Sequence, residues 1–316
     1  MSDASIARVA VIGTGVIGCS WVSKFLAAGL DVVAWDPADD AEAKVRAAIA
    51  NHWPVLERIG LADGAAQDRV RFASEPEDAV AEADFVQENG PEVEDLKVYL
   101  FARLDAATRS DVVIASSSSG LLPSVIQREC RAHPERVLVG HPFHPAHLVP
   151  LVEVVPGQQT SSVAVDTAMT FYASVGKRPI HVRVELPGHV TNRLQAALWR
   201  EAYSLVARGA ATVADVDTAI SQGPGLRWAL LGPFATQHLS GGEGGIAHVL
   251  EHLGPPMVAW WDTFDTPAWT DELKSRVVAG VDAELSSVDQ AKMADERDAL
   301  LERLLVAKAQ ADNLPG

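Results

Sequence analysis

Short β-branched runs alternate with helical segments along the first part of the chain. The runs RVAVIG, DVVAWD, RVRFAS, FVQENG, DVVIASSSS and RVLVGHPF each predict a strand. The segments between them, for example AEAKVRAAIANHWPVLERIG and VEDLKVYLFARLDAAT, space their apolar residues as one face of a helix does. Alternation of this kind predicts an α/β fold with a parallel, doubly wound sheet.

After ELPGH the pattern changes to helical segments alone. VTNRLQAALWREAYSLVARG predicts a long helix that ends at Gly209, and the remainder is helical with breaks at QGPG and LGPP. A chain of 316 residues is also longer than most chains that fold around a single hydrophobic core, and chains of this length usually form more than one domain. We therefore predict two domains, residues 1–187 and residues 188–316.

Three glycines follow the first predicted strand in G-x-G-x-x-G spacing. Gly13 permits a tight turn, Gly15 lets the backbone approach a pyrophosphate, and Gly18 lets the next helix pack closely on the strand. The pyrophosphate would lie at the helix N-terminus, beside Val16 and Ile17, where free N–H groups favour negative charge. The alternative is that the glycines only pack a helix on a sheet.

Asp36 ends the second predicted strand, at the distance from the glycines that a dinucleotide site requires. Its carboxylate can accept hydrogen bonds from both ribose hydroxyls of NAD, and it would repel a 2′-phosphate. The residues that follow, PADDAEAK, add acids rather than an arginine. These residues predict NAD rather than NADP as the cofactor.

HPFHPAHLVPLVE, residues 141–153, combines three histidines with one carboxylate. A histidine exchanges a proton near neutral pH when a second group fixes its tautomer, so His141 and Glu153 form a candidate catalytic pair if the chain folds back. Pro142, Pro145 and Pro150 exclude a regular helix between them. The alternative is a loop of solvated side chains. QEN, SSSSG and HPFH each end a predicted strand, so we expect them to meet in one crevice.

Charge and cysteine content narrow the class of protein. The net charge of −16 disfavours nucleic acid and anionic membranes as partners. Cys19 and Cys130 lie outside any CxxC or His-rich cluster, which disfavours disulfides and metal sites and favours a reducing compartment. The segment MSDASIARVAVIG lacks a signal-peptide pattern, and no apolar run is long enough to span a membrane. We expect a cytoplasmic protein without a metal.

Taken together, the motifs resemble those of the 3-hydroxyacyl-CoA dehydrogenase family over nearly the whole chain. They are GTGVIG, QENGPEVEDLK, SSSSGLLPS, HPFHP, PLVEVVPG, PGHVTNRL and GPF, with Asp36 at the expected spacing. The resemblance implies a Rossmann-type doubly wound sheet followed by an all-helical carboxyl-terminal domain, which usually forms a homodimer interface. It also implies NAD-linked oxidation of a 3-hydroxy group.

The resemblance carries catalytic roles onto four residues. It places the general base on His141, the glutamate that orients this base on Glu153, and the groups that contact the reacting oxygen on Ser118 and Asn192.

It also places nicotinamide-side contacts on Glu92 and Lys97. The chain departs from the family at His144, where the family has an asparagine, and we expect His144 and Phe143 to lie beside the substrate.

Within the family, SSSSGLLPS, ALWREA, GLRWALLGPF and GGEGGIAHVLEHLGPPMVAWWDTF most resemble the L-carnitine 3-dehydrogenase branch, and less closely the L-gulonate 3-dehydrogenase and λ-crystallin branch. Tryptophans crowd the second half, and an aromatic box is the usual receptor for a quaternary ammonium. The alternative is that they form helix core or dimer interface. The substrate-site candidates are Arg193, Arg200 or Arg227 for a carboxylate, and Trp199, Trp228, Trp260 and Trp261 for the cation.

The sequence thus predicts oxidation of L-carnitine, a small quaternary-ammonium hydroxy acid, to 3-dehydrocarnitine. One alternative is a dehydrogenase of 3-hydroxyacyl-CoA or L-gulonate on the same scaffold. The other is an NAD-binding protein without activity. The complete set of Ser118, His141, Glu153 and Asn192 speaks against the second alternative.

Overall fold

The computed structural model describes residues 6–314, apart from the side chain of Ala291, and they form two compact units. The first unit ends at Arg193 and the second begins at Leu194. This division lies beyond the predicted boundary between residues 187 and 188, inside helix α7 (Thr191–Ala207). The first residues of α7 therefore belong to the first unit, in which the backbone N–H of Thr191 donates to Glu153 over 2.9 Å.

An eight-stranded sheet forms the centre of the first unit. The strands are β1 (Arg8–Ile12), β2 (Asp31–Trp35), β3 (Val70–Phe72), β4 (Phe85–Glu88), β5 (Val113–Ser116), β6 (Val137–Pro142), β7 (Leu151–Pro156) and β8 (Arg178–His181). Their order in the sheet is β3-β2-β1-β4-β5-β6-β7-β8, and the first six in this order are parallel, as expected for a Rossmann-type sheet. β7 runs antiparallel to β6, and β8 runs parallel to β7. The predicted fold class is therefore confirmed.

Helices cover both faces of this sheet, and each face has its own hydrophobic core beneath the helices. One core contains Trp21, Phe25 and Tyr172, and the other contains Phe101 and Leu104. Burying a large apolar side chain contributes about 1.5–3 kcal/mol, so each face supplies substantial stability. The helices are α1 (Val16–Ala27), α2 (Ala41–Ile59), α3 (Pro76–Val80), α4 (Glu94–Ala107), α5 (Pro123–Ile126) and α6 (Ser162–Ser174).

The described part of the second unit contains helices and no strand, which confirms the predicted all-helical character. Gly209 follows α7 with φ +67°, a conformation that favours glycine and ends the helix. Among the residues described, none of the helices has both the length and the apolar character needed to cross a bilayer. Beyond α7, the helices are α8 (Val213–Ser221), α9 (Pro224–Trp228), α10 (Pro233–Ser240), α11 (Gly245–His252), α12 (Gly254–Trp261), α13 (Asp271–Glu284) and α14 (Gln290–Ala309).

Backbone hydrogen bonds tie together the loops that leave the carboxyl ends of the central strands. The Gly13 N–H donates to the Trp35 carbonyl, and the Asn89 N–H donates to the Ile12 carbonyl, each over 2.7 Å. The Ser117 N–H donates to the Glu88 carbonyl over 2.7 Å. The polar segments that follow β1, β4 and β5 therefore lie side by side.

Candidate active site

The glycine loop between β1 and α1 has the shape that a pyrophosphate requires. Gly13 adopts φ +88°, and a Cβ there would lie 2.9 Å from the backbone of Asn89. A Cβ on Gly18 would collide with the Gly13 carbonyl oxygen, whereas Gly15 faces open space. Helix α1 begins at Val16 without a side-chain cap, so its first N–H groups are available to an anion. Val16 is exposed and Ile17 half-buried at this end.

Asp36 is held at the end of β2 by two backbone donors. Its Oδ2 accepts from the Thr14 N–H over 2.6 Å, and its Oδ1 accepts from the Ala38 N–H over 3.0 Å. Each carboxylate oxygen keeps a lone pair for a ribose hydroxyl. A cleft of about 440 Å³ adjoins this carboxylate, and its largely apolar walls suit an adenine ring. Its lining includes Trp35, Pro37, Leu96, Tyr99 and Arg103.

His141 and Glu153 face each other across the antiparallel pair β6 and β7. They are direct register partners, and His141 Nδ1 lies 2.8 Å from Glu153 Oε2. The other oxygen, Oε1, accepts from the N–H groups of Val190 and Thr191, each over 2.9 Å. Complete burial raises the pKa of Glu153, but the hydrogen bonds from His141, Thr191 and Val190 outweigh it and hold the pKa below its usual value. The carboxylate is therefore ionised.

This pairing determines which nitrogen of His141 is free. An ionised carboxylate only accepts hydrogen bonds, so Nδ1 carries the proton and Nε2 keeps its lone pair. Phe143 stands edge-on to the His141 ring, with ring centroids 4.9 Å apart, and His144 is exposed. His141 thus has the arrangement of a general base.

The segment SSSSG, residues 116–120, is called the serine loop here, and two neighbouring serines in it have different surroundings. The Ser118 hydroxyl is buried, donates to Glu92 Oε1 over 2.5 Å and accepts from the Leu121 N–H over 2.9 Å. Ser119 is exposed, and its carbonyl oxygen accepts from Asn192 Nδ2 over 3.5 Å. Ser119, which the sequence interpretation did not select, is therefore the serine whose backbone is bonded to Asn192.

Glu92 is an acceptor for this whole loop. Partial burial raises its pKa, but hydrogen bonds from the Ser118 hydroxyl and from the Gly120 and Leu121 N–H groups more than offset this, so the pKa lies below its usual value. Glu92 is thus a fixed negative charge next to the serine loop.

Lys97 is buried beneath the loop that follows β4. Its ammonium group donates to both Glu88 oxygens over 2.8 and 2.9 Å and to the Gly90 carbonyl over 3.0 Å. Ser116 also donates to Glu88 over 2.6 Å. All three ammonium protons are used, so Lys97 fixes the Gly90 peptide of the cleft lining. A direct contact with NAD stays a prediction. Glu88 was not selected from the sequence, although its place in QEN at a strand end was visible.

Arg193 and the tryptophan candidates of the second unit are exposed. Arg193, the last residue of the first unit, donates to the Pro187 carbonyl over 3.4 Å. The tryptophans at positions 199, 228, 260 and 261 are each between 44% and 61% exposed. Within residues 194–314, no ring contact joins any two of these four. Trp269 instead packs against Tyr203, with centroids 5.1 Å apart. These four tryptophans therefore do not pack on one another in the described part of this unit, and their part in binding a cation stays a prediction.

A dinucleotide loop and a buried histidine–glutamate pair at the same sheet define a class: a nucleotide-dependent dehydrogenase of hydroxy compounds. Comparison with known proteins gives the family. Residues 8–185 match the NAD binding domain of 3-hydroxyacyl-CoA dehydrogenase, and residues 188–291 match its C-terminal domain. The chain belongs to the 3-hydroxyacyl-CoA dehydrogenase family, as predicted, and is an NAD-dependent hydroxy-acid dehydrogenase with NAD as its cofactor.

Two curated relatives and two solved structures illustrate the similarity. The L-carnitine dehydrogenase of Streptomyces griseus is 52% identical over 93% of this chain and 87% of its own length. The L-carnitine dehydrogenase of Bacillus cereus is 47% identical over 96% of this chain and 93% of its own length. The structure of 5-formyl-3-hydroxy-2-methylpyridine 4-carboxylic acid 5-dehydrogenase matches with a TM-score of 0.77 and 29% identity. The match covers 96% of this chain and 99% of that one. The structure of (S)-3-hydroxybutyryl-CoA dehydrogenase from Ralstonia eutropha matches with a TM-score of 0.67 and 26% identity, over 87% of this chain and 95% of that one.

Proposed function

We propose that this protein oxidises the 3-hydroxy group of L-carnitine to the ketone of 3-dehydrocarnitine. The observation that carries the proposal is the similarity, at about half of all positions and along nearly the whole chain, to several proteins named L-carnitine dehydrogenase. The family domain matches and the NAD-compatible loop support the same reaction type.

His141 is the general base in this proposal. Its Nε2 lone pair takes the proton of the substrate hydroxyl, and Glu153 stabilises the resulting imidazolium through Nδ1. Bound NAD supplies the acceptor for the hydride that leaves the same carbon. Because Glu153 is fixed by the Val190 and Thr191 N–H groups, the imidazole ring needs no reorganisation as its charge develops.

We assign the contact with the reacting oxygen to Ser119 and Asn192. The resemblance placed this contact on Ser118, whose hydroxyl donates to Glu92, whereas Ser119 is exposed and its backbone carbonyl oxygen accepts from Asn192, which brings the two residues together. Ser119→Ala is expected to lower kcat by about tenfold or more through loss of one preorganised donor. Ser118→Ala is the matched variant, and its main effect would be on KM for NAD, through Glu92. A kcat loss confined to Ser118→Ala would return the role to Ser118.

The second unit is proposed to form a homodimer interface. Many of its large apolar side chains are exposed, among them Leu226, Phe234 and Leu250, and a surface of this kind is usually covered by another chain. Sedimentation equilibrium should therefore give a mass twice that of the 33.7 kDa chain.

The same sedimentation experiment, combined with KM values, distinguishes an interface role of Trp260 and Trp261 from a substrate-binding role. If Trp260 and Trp261 form the interface, replacing both by alanine produces monomers. If they bind the trimethylammonium group, the double variant stays dimeric while KM for L-carnitine rises by about tenfold or more, as expected for a lost cation–π contact.

The test of the proposed substrate is the rate of NADH formation with L-carnitine, D-carnitine, L-gulonate, 3-hydroxybutyrate and 3-hydroxybutyryl-CoA at mildly alkaline pH. Strong preference for L-carnitine is the expected result. Preference for the CoA ester or gulonate would keep the role of His141 and reject the substrate. His141→Ala should bind NAD normally and lose most turnover. An undiminished rate in this variant would reject the base.

A further inference from the structure

His189 occupies an unusual position beside the His141–Glu153 pair. Its side chain is completely buried, and among residues 6–314 it is the one residue other than glycine with positive φ, at +49°. It follows Gly188, whose φ is +76°. Two successive left-handed residues make a tight turn at the start of α7, and a histidine there carries a conformational cost. The cost indicates that its side chain has a specific task.

The His189 ring connects two parts of the site. Its Nε2 lies 3.2 Å from the Ser118 carbonyl oxygen, and its centroid lies 5.4 Å from that of His141. A carbonyl only accepts hydrogen bonds, so Nε2 carries the proton. Nδ1 is buried without a hydrogen-bond partner among the described residues. The ring is therefore a donor toward the serine loop and has no second bond.

The turn that His189 anchors also holds the carboxylate of the pair. The next two N–H groups, those of Val190 and Thr191, are the donors to Glu153 Oε1. The Glu153 Oε2 atom in turn accepts from His141. A hydrogen-bonded path thus runs from the Ser118 carbonyl through the 188–191 turn to Glu153 and His141.

The surroundings of His189 keep this ring neutral. Burial is the largest cause that lowers its pKa, and the His141 ring adds to it. The Ser118 carbonyl and the carboxylates of Glu153 and Glu92 act in the opposite direction but do not outweigh burial. A neutral ring matters because a second cation 5.4 Å away would oppose the charge that His141 gains as it takes a proton.

We propose that His189 is a positioning residue, whose buried imidazole ties the serine loop to the turn that holds Glu153 against His141. This inference rests on the proposed function, because it takes His141 as the general base.

Three substitutions of His189 separate the hydrogen bond from packing. In His189→Gln the amide nitrogen reaches the position of Nε2, in His189→Asn it reaches only that of Nδ1, and in His189→Phe the volume is kept without a donor. Asn also suits positive φ, so its fold is protected. For each variant, kcat, KM for L-carnitine and NAD, the pH dependence of kcat/KM and the melting temperature are measured, with His141→Gln in the same series.

We expect the Asn and Phe variants to lose about five- to tenfold in kcat, the size of one hydrogen bond, with KM for NAD unchanged. The acid limb of kcat/KM should move to lower pH, since a less firmly held Glu153 supports the imidazolium less. The Gln variant should restore kcat to within about threefold and leave the acid limb unmoved.

Folded Asn and Phe variants with wild-type kcat and pH profile would overturn the inference. So would a Gln variant as slow as Phe with no shift in any profile, because packing alone would explain it. Inactive His141→Gln beside unaffected His189 variants rejects only this inference, whereas active His141→Gln rejects the proposed base.

Discussion

Glu153→Gln tests the proposed catalytic pair, His141 and Glu153, most directly, because it changes one atom of a fully buried side chain. The amide oxygen can take the place of Oε1 and keep both backbone donors, Val190 and Thr191. The amide nitrogen then faces His141 Nδ1, 2.8 Å away, and an N–H group cannot accept the Nδ1 proton. The imidazole therefore changes tautomer, and Nε2 becomes protonated. The base loses the lone pair that the reaction needs.

Two effects set the size of the loss. At an effective dielectric constant near 20, a carboxylate about 4 Å from an imidazolium contributes about 4 kcal/mol, which corresponds to about 10³ in rate. The unfavourable tautomer adds to this loss, and a similar change in a serine protease triad costs about 10⁴. We expect kcat with L-carnitine to fall by about 10³- to 10⁴-fold while KM for NAD stays within about twofold.

Steady-state NADH formation at saturating NAD measures this, with NADH fluorescence as an independent check that the cofactor still binds. Thr191→Val is the matched control: it removes only the 3.2 Å contact from the hydroxyl to Glu153 and keeps the N–H, so kcat should stay within about threefold. Glu153→Gln with more than about a tenth of wild-type kcat would show that the tautomer and the charge at position 153 do not set the rate as argued, and would refute the reasoning.

Three further variants test other parts of the molecule. Asp36→Ala should lower the ratio of kcat/KM for NAD to that for NADP by about tenfold or more, since the ribose acceptor is lost, and an unchanged ratio would reject that contact. Lys97→Met should lower the urea unfolding free energy by about 3–5 kcal/mol, because Glu88 is left buried and unpaired; a loss below about 1 kcal/mol would contradict the ion-pair argument. Burial, followed by the charges of neighbouring groups, lowers the pKa of His147 from 6.5 to about 3, so its contribution to stability is complete above pH 6.5 and is lost as the pH falls toward 3. Between pH 7 and pH 5 we expect a loss of about 1–2 kcal/mol that His147→Gln largely removes, and an equal loss in both proteins would assign it to other groups.

The sequence was informative where function depends on local spacing. The glycine loop lies between a strand and a helix because each glycine satisfies a steric need within a few residues of the next. His141 and Glu153 could be named as a candidate pair because the prolines between them exclude a helix and the family motifs place both residues. The antiparallel register of β6 and β7 then brings the two side chains together.

The sequence was less informative where partners are far apart. The N–H groups that fix Glu153 come from Val190 and Thr191, 37 and 38 residues later, and no periodicity connects them. The choice between Ser118 and Ser119 depends on which way each side chain faces in a loop, and a shift of one residue reverses it. His189 was not selected because its role arises from a left-handed backbone conformation in a segment without a regular pattern.

Glu88 and Glu153 show why burial alone does not mark a carboxylate as a candidate for catalysis. Both are fully buried in strands, and each is bonded to a nitrogen 2.8 Å away. The difference lies in the partner. Lys97 uses all three ammonium protons on Glu88 and the Gly90 carbonyl, so no group is left to act on a substrate and the pair can only support the loop. The imidazole of His141 gives one nitrogen to its carboxylate and keeps the other, which is why this pair, and not the first, can move a proton.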